Sequence, residues 1–160
     1  MKQDRFLIAI VSVIGVLVVV SLVLFFLRQG SQSYQSEDTP QAVVHNYVLA
    51  LQKGDFQRAY SYLSEKTGKP SFTSFHQAFI NNQQSISTAA IQIGEVTVSG
   101  SDATVSLTLL QSGGGAFADT FRQTQAATVV RQNNAWKIDT MPYPYWSYDW
   151  YQPIVPQKAP

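Results

Sequence analysis

The chain has 160 residues, of which 45% are hydrophobic and 13% are charged, and its formal net charge at pH 7 is +1. Residues 29–160 carry eight basic and nine acidic side chains, and this balance argues against a nucleic-acid partner or an anionic lipid surface. Because the chain has no cysteine, disulfides, thiolate metal sites, a cysteine nucleophile and a lipid anchor on cysteine are excluded.

The uncharged segment at residues 6–27 predicts a transmembrane helix. At 1.5 Å per residue its 22 residues extend about 33 Å, close to the ~30 Å of a bilayer's hydrocarbon core. An uncleaved anchor is favoured over a cleaved signal peptide, because the run is longer than a signal-peptide core and lacks a small-residue cleavage site. Lys2 and Arg5 precede the span, so a cytoplasmic tail at residues 1–5 and a C-terminal domain outside the cytoplasmic membrane are expected.

A flexible stalk is predicted at residues 28–38, because this stretch is polar and has no hydrophobic period. Thr39 followed by Pro40 then predicts the start of a helix that ends at Gly54, a residue suited to a left-handed cap. Asp55 is expected to cap a second helix at once. A third helix, at about residues 73–83, places several apolar side chains and one histidine on one side: Phe72, Phe75, His76, Phe79 and Ile80.

The hydrophobic period then changes from near 3.6 to 2, which predicts strands. They are expected over 91–98 with an irregularity at Gly94, over 104–109, from 117 to 131, and over 135–139. Residues 99–102 and Asn133-Asn134 predict tight turns, and residues 113–115, three glycines, a flexible hairpin. Three helices followed by three or four antiparallel strands predict an α+β domain over residues 39–140, with the helices packed on one face of a curved sheet.

The helical part of this domain resembles the opening of nuclear-transport-factor-like (cystatin-like cone) domains, whose first two helices meet at a Gly-Asp corner. The positions of that pattern are occupied here by Ala50, Leu51, Gly54, Asp55, Ala59 and Leu63, and the last strand, 136–138, is also similar. The resemblance implies a cone-shaped fold. It is closest to small bacterial proteins with one membrane anchor and an exported cone domain. The superfamily hosts isomerases, dehydratases and non-catalytic modules, so the resemblance implies no single activity.

His76 is the candidate for catalysis or ligand contact, because enzymes of this superfamily place a histidine or aspartate inside the mouth of the cone. The sequence offers no polarising partner for it, and a histidine at the boundary of the core is the alternative. The carboxylates Asp119, Asp139 and Asp149 are scattered and are expected on exposed strands or turns. No set of ligands has the spacing of a metal site, and neither a metal nor a cofactor is expected.

The C-terminal tail at residues 141–160 is rich in proline and aromatic residues. Its six aromatic residues are candidates for contact with a ligand or partner: Tyr143, Tyr145, Trp146, Tyr148, Trp150 and Tyr151. Prolines forbid a continuous helix. Three uses remain open. The tail could fold back over the sheet or close the cone; it could form an exposed docking surface; or it could lie in the lipid headgroup zone or stack on glycan rings.

Together these patterns predict a single-pass membrane protein whose exported domain binds or scaffolds without catalysis. Its expected partners are the membrane, through residues 6–27, and other envelope proteins or a small apolar ligand, with no nucleic acid. One alternative is a cone-pocket enzyme of the isomerase, dehydratase or hydrolase kind that uses His76. Another is a structural subunit of an envelope or secretion assembly.

Overall fold

A computed structural model describes residues 2–28, 33–112 and 120–152, and the chain divides into two compact units, Met1–Ser33 and Tyr34–Pro160. The first unit holds one helix, α1 (Lys2–Arg28). Its side chains are described without a break from Ile10 to Leu24, and all of them are exposed. This run covers about 22 Å, less than a ~30 Å hydrocarbon core. Among the described residues no helix is long and apolar enough to cross a membrane, so the span expected at residues 6–27 is not supported there.

The second unit opens with two helices, α2 (Pro40–Lys53) and α3 (Phe56–Ser61), that begin and end where local chemistry predicts. The Thr39 hydroxyl accepts a hydrogen bond from the Ala42 amide at 3.2 Å, and the Asp55 carboxylate accepts one from the Arg58 amide at 3.1 Å. Gly54 has a φ of 72°, a left-handed conformation that costs glycine little. The predicted Gly-Asp corner is confirmed.

Two further helices follow, α4 (Phe72–Ile80) and α5 (Gln83–Thr88). Helix α4 starts one residue before the predicted position and ends three residues earlier than the predicted end at 83. Helix α5 was not predicted, because its sequence is polar and its first residues have no side-chain cap. Its one large apolar residue, Ile86, is 1% exposed and holds the helix against the core.

The predicted antiparallel sheet is confirmed, and the described residues form four strands of it in the order β1-β2-β3-β4. They are β1 (Ala89–Ser99), β2 (Asp102–Ser112), β3 (Thr120–Gln132) and β4 (Ala135–Thr140). The register of β1 shifts between Ile93 and Val96, at the expected irregularity, and Asn133 and Asn134 take φ values of 48° and 64° in the predicted hairpin turn. The glycines at 113–115 and Asp119 lie outside the described residues.

One face of the sheet is packed against the helices, and α2 contacts β1, β2 and β4. The outer edge of β4 is covered, because the Ser64 amide donates to the Ile138 carbonyl at 2.8 Å and the Ile138 amide donates to the Tyr62 carbonyl at 2.7 Å. The buried side chains form one core. Its largest fully buried members are Tyr47, Tyr145, Phe75, Phe79, Leu51, Leu63, Ile86, Leu107 and Ile138.

Residues 34–38, expected to belong to a flexible stalk, are instead bound to the second unit. The buried Asn46 amide and the backbone of Gln35 exchange two hydrogen bonds of 2.8 Å. The Tyr34 ring lies under the Arg58 guanidinium at 3.6 Å from its centroid. The Glu37 carboxylate accepts a hydrogen bond from the Tyr62 hydroxyl at 2.7 Å. The contacts that hold the second unit together therefore include residues before the helix cap at Thr39.

Candidate functional site

The C-terminal tail folds back onto the core through its tryptophans. Trp150, 7% exposed, stacks on Phe75 with ring centroids 5.3 Å apart and meets Phe79 edge-on at 5.5 Å. Trp146, also 7% exposed, contacts Trp150 at 5.0 Å. Both tryptophans are therefore part of the core that α4 helps to form, the arrangement expected if the tail closes the fold.

Tyr145 is the deepest aromatic residue of the tail. Its side chain is fully buried, its hydroxyl donates to the Ala89 carbonyl at 2.9 Å, and its own carbonyl accepts a hydrogen bond from the Tyr47 hydroxyl at 2.9 Å. Burial raises the pKa of Tyr145 to about 12 and raises the pKa of Tyr47 well above its usual value. Both phenols are therefore neutral hydrogen-bond donors at physiological pH.

Tyr151, near the end of the described part of the tail, is bound to the loop after α3. Its hydroxyl donates to the Ser64 carbonyl at 2.7 Å, and its amide donates to the Gly68 carbonyl at 2.9 Å. The Lys66 ammonium lies 4.7 Å from the centroid of its ring. Burial raises the pKa of Tyr151 to about 12. Tyr151 is thus held by two hydrogen bonds to backbone carbonyls, one from its hydroxyl and one from its amide.

The remaining two candidates of the tail, Tyr143 and Tyr148, face outward, with exposed fractions of 45% and 70%. Two shallow clefts of about 350 and 440 Å³ border these rings, and a third of about 500 Å³ borders other residues of the tail. The first two both include Tyr143 and Tyr148 in their lining, so they adjoin at this pair of rings. The third lies between the tail and α4 and includes Trp150.

We name the first two clefts together the aromatic groove. Its first part is lined by Leu109, Phe121, Gln123, Gln125, Tyr143 and Tyr148. Its second part is lined by Ala78, Phe79, Asn82, Tyr143, Pro144, Trp146, Ser147, Tyr148 and Asp149. Among these described lining residues the only charged side chain is that of Asp149, which is exposed.

Strand β3 forms one wall of the aromatic groove, because the residues on one of its faces change from buried to exposed along the strand. Ala127 and Val129 are fully buried, Gln125 is half-buried, Gln123 is exposed, and Phe121 is 68% exposed. Residues two apart on a strand point to the same face. The face that is apolar core at one end of β3 is therefore an amide and aromatic surface at the other.

Three residues of this wall were not predicted as site residues from the sequence: Phe121, Gln123 and Gln125. Their signal is visible in retrospect as the continuation of the alternation that begins at Val129. Gln125 pairs with Leu107 and Gln123 with Leu109, so a polar side chain of β3 stands beside a buried leucine of β2. Polar residues on an inward face mark the place where the core opens to solvent.

His76 lies on the outer side of α4. Phe75 and Phe79 point into the core, whereas the His76 ring packs against Phe56 at 4.8 Å and stacks on Phe72 at 5.9 Å between centroids. His76 is half-buried and lines none of the three clefts. The structure thus brings Tyr143, Trp146 and Tyr148 together in the aromatic groove but places His76 elsewhere.

The scattered carboxylates have separate surroundings. Asp139 accepts a hydrogen bond from the Ser64 hydroxyl at 3.1 Å and pairs with the Lys66 ammonium at 2.5 Å. Asp149 is exposed in the turn of the tail. Within the described ranges, no three histidine, aspartate or glutamate side chains gather as the ligands of a metal ion would.

The chain matches no protein-family model and no curated protein. Similar solved structures include a Campylobacter jejuni protein named "putative NTF2-like transpeptidase", with 17% identity over 64% of this chain and 99% of that one and a TM-score of 0.48. A Shewanella frigidimarina "putative ketosteroid isomerase" has 19% identity over 68% and 93% and a TM-score of 0.47. A Nostoc punctiforme protein of unknown function with a cystatin-like fold has 13% identity over 60% and 80% and a TM-score of 0.44. At TM-scores below 0.5, these likenesses carry no argument about activity.

Proposed function

We propose that this chain is a membrane-tethered, extracytoplasmic binding domain that acts by holding a ligand or partner in the aromatic groove, without catalysing a reaction. The observation that carries this proposal is the packing of the tail into the core. Side chains of α2, α4, the sheet and the tail form one core, and Trp150 occupies the space against Phe75 and Phe79. A ligand or partner would therefore bind at the surface, where the aromatic groove has exposed rings and amides.

The tether is proposed from the sequence of residues 6–27. These residues contain no charge, and this stretch is longer than the part of α1 whose side chains are described. The described apolar side chains of α1, from Ile8 at 64% exposure to Leu24 at 53%, are uncovered. Soluble proteins rarely leave so large an apolar surface in water, and a bilayer would cover it. Lys2 and Arg5 favour an N-terminus in the cytoplasm.

Placement is tested by protease treatment of bacterial spheroplasts that express the full chain. We expect the chain in the membrane fraction and its second unit digested from outside. In a variant with Val16→Lys and Val19→Lys the chain should leave the membrane, because each lysine costs about 2.5–3.5 kcal/mol at the centre of a span. The matched control, Val16→Ala with Val19→Ala, should stay. Full protection in spheroplasts, or a wild-type chain in the soluble fraction, would contradict the tether.

Use of the groove is tested with a photoreactive phenylalanine analogue at position 148 in growing cells. We expect a covalent adduct at Tyr148 and none with the same analogue at Thr104, which is exposed on the opposite face of the sheet from the buried Val105. Equal adduct formation at the two positions, or none at Tyr148, would contradict a binding role for this surface.

A further inference from the structure

We propose that the aromatic groove binds a neutral glycan, a chain of linked pyranose sugars. This inference rests on the proposed binding function and names the chemical class of its ligand. Three large rings stand exposed around the groove, Phe121 at 68%, Tyr143 at 45% and Tyr148 at 70%. They are unlike the tail's tryptophans, which the core covers.

The exposed rings match one face of a sugar. The π face of an aromatic ring is electron-rich, and its edge is electron-poor. A pyranose ring such as that of glucose carries axial C–H bonds on its two faces, and these weakly positive hydrogens pack against a π face. The stacking needs no charge and excludes water from both surfaces. Phe121, which has no hydroxyl, contributes only such a surface.

The amides of the groove match the rim of a sugar. A carboxamide has both donor hydrogens and an acceptor oxygen, and a sugar hydroxyl also donates and accepts. Gln123 and Gln125 stand beside Phe121 in the first cleft, and Asn82 lines the second, where its oxygen accepts a hydrogen bond from the Tyr143 hydroxyl at 3.5 Å. Hydroxyls on the edge of a stacked sugar can therefore replace their hydrogen bonds to water with hydrogen bonds to these amides.

The charge of the groove argues against an anionic ligand. Its described lining contains no lysine, arginine or histidine and one carboxylate, Asp149. A phosphate or carboxylate group would find no cation there and would be repelled by Asp149. A carboxylate accepts hydrogen bonds from sugar hydroxyls, so Asp149 suits an uncharged sugar.

The two clefts favour a chain over a single sugar. They are about 350 and 440 Å³ in volume and meet at Tyr143 and Tyr148. A monosaccharide can occupy only one of them at a time. Linked sugars can occupy both clefts. Once the first sugar is bound, the second binds without a further loss of translational entropy, so the chain binds more tightly than a single sugar.

The test uses the full chain in lipid nanodiscs, because detergents with sugar headgroups would compete. The ligands are two series of neutral oligosaccharides of two to six units, the β-1,4-linked oligomers of N-acetylglucosamine and of glucose. Binding is measured by calorimetry and by the fluorescence of Trp146, which lines the second cleft. We expect at least one series to bind, with the six-unit ligand at least tenfold tighter than the two-unit one.

Single variants locate the site. Phe121→Ala and Tyr148→Ala should each weaken binding of the six-unit ligand tenfold or more. Val98→Ala removes an apolar side chain of similar exposure, 54%, that lines neither cleft, and should change nothing. Unchanged urea unfolding midpoints in all three variants show that the loss is local. Equal binding by Val98→Ala and Tyr148→Ala would overturn the proposal.

Two results separate this inference from the function it rests on. If neither series binds at millimolar concentration while the adduct at position 148 still forms in cells, the groove binds something else and the glycan assignment is wrong. The same holds if a neutral ten-residue peptide binds the groove and neither saccharide does. If the adduct is also absent, the binding function itself is wrong.

Discussion

The hydroxyl of Tyr145 donates a hydrogen bond of 2.9 Å to the carbonyl of Ala89, the first residue of β1, across 56 positions of the chain. The carbonyl of Tyr145 in turn accepts from the Tyr47 hydroxyl in α2. One tail residue therefore ties the longest helix of the second unit to the first strand of the sheet. Three aromatic residues of a segment that resembles a docking motif in the sequence are thus buried in the core: Tyr145, Trp146 and Trp150.

Tyr145→Phe should destabilise the second unit by about 1–3 kcal/mol, since it leaves the Ala89 carbonyl buried without its donor. The free energy of unfolding is measured with urea on the full chain in nanodiscs, following tryptophan fluorescence. Tyr148→Phe, which removes a hydroxyl from a ring that is 70% exposed, should change it by less than about 0.5 kcal/mol. Equal effects of the two variants would show that the buried hydrogen bond does not contribute.

Trp150→Ala should cost about 3–5 kcal/mol, because it leaves a cavity against Phe75 and Phe79 in addition to the lost burial. Tyr148→Ala, two residues earlier in the same turn, should cost less than about 0.5 kcal/mol. Urea unfolding of the two variants distinguishes a tail that is part of the core from one that only lies on it. A loss below about 1 kcal/mol for Trp150→Ala would contradict the packing described.

Features of the fold that depend on residues close together in the sequence could be predicted, and features that depend on residues far apart could not. Thr39, Gly54 and Asp55 could be assigned correctly because a cap or a left-handed turn depends on neighbours within a few residues. The strand alternation and the Asn133-Asn134 turn are local in the same sense. Helix α5 has no such signal, because its sequence is polar and its large apolar residue, Ile86, is buried against residues distant in the chain.

The candidate site was less predictable, because it depends on which side of each element meets the core. The spacing of Phe72, Phe75, His76 and Phe79 is compatible with one broad helical face. Packing divides it, so that the pair four apart at 75 and 79 is buried and His76 turns outward with Phe72. In the tail, Tyr143 and Tyr148 point outward and the rings at 145, 146 and 150 point inward, and nothing in the order of prolines and aromatic residues determines which.

Gly68→Ala should destabilise more than Gly100→Ala. Both glycines have positive φ values, 87° and 62°, so each substitution should cost about 1 kcal/mol from backbone strain. A Cβ on Gly68 would also lie 2.8 Å from the Cα of Tyr151, whereas one on Gly100 meets nothing within 4 Å. We expect a further loss of about 1 kcal/mol or more for Gly68→Ala, measured by thermal or urea unfolding. Identical losses would mean that the tail is not seated on this loop.

Stability should fall as pH rises from 10 to 12. Burial raises the folded-state pKa values of Tyr145 and Tyr151 to about 12, above the ordinary value of 10.0 that applies when the chain is unfolded. Between these values the unfolded chain releases protons that the folded chain retains, so higher pH favours unfolding. This contribution is fully present below pH 10 and is lost as pH approaches 12. In the double variant Tyr145→Phe with Tyr151→Phe, urea midpoints between pH 9 and 11.5 should decline less steeply than in the wild type, and an unchanged slope would contradict the assignment.

The packing of Trp150 on Phe75 and Phe79 also has a consequence for biosynthesis. Trp150 is translated after α4 and after strands β1 to β4. Helix α4 therefore cannot complete its packing until this last part of the chain has been made. Until then two phenylalanine rings face water on a partly built domain, and such surfaces invite aggregation or chaperone capture. A nascent chain stopped before residue 146 should therefore be held by chaperones or degraded, although it already contains each helix and strand that the structure describes.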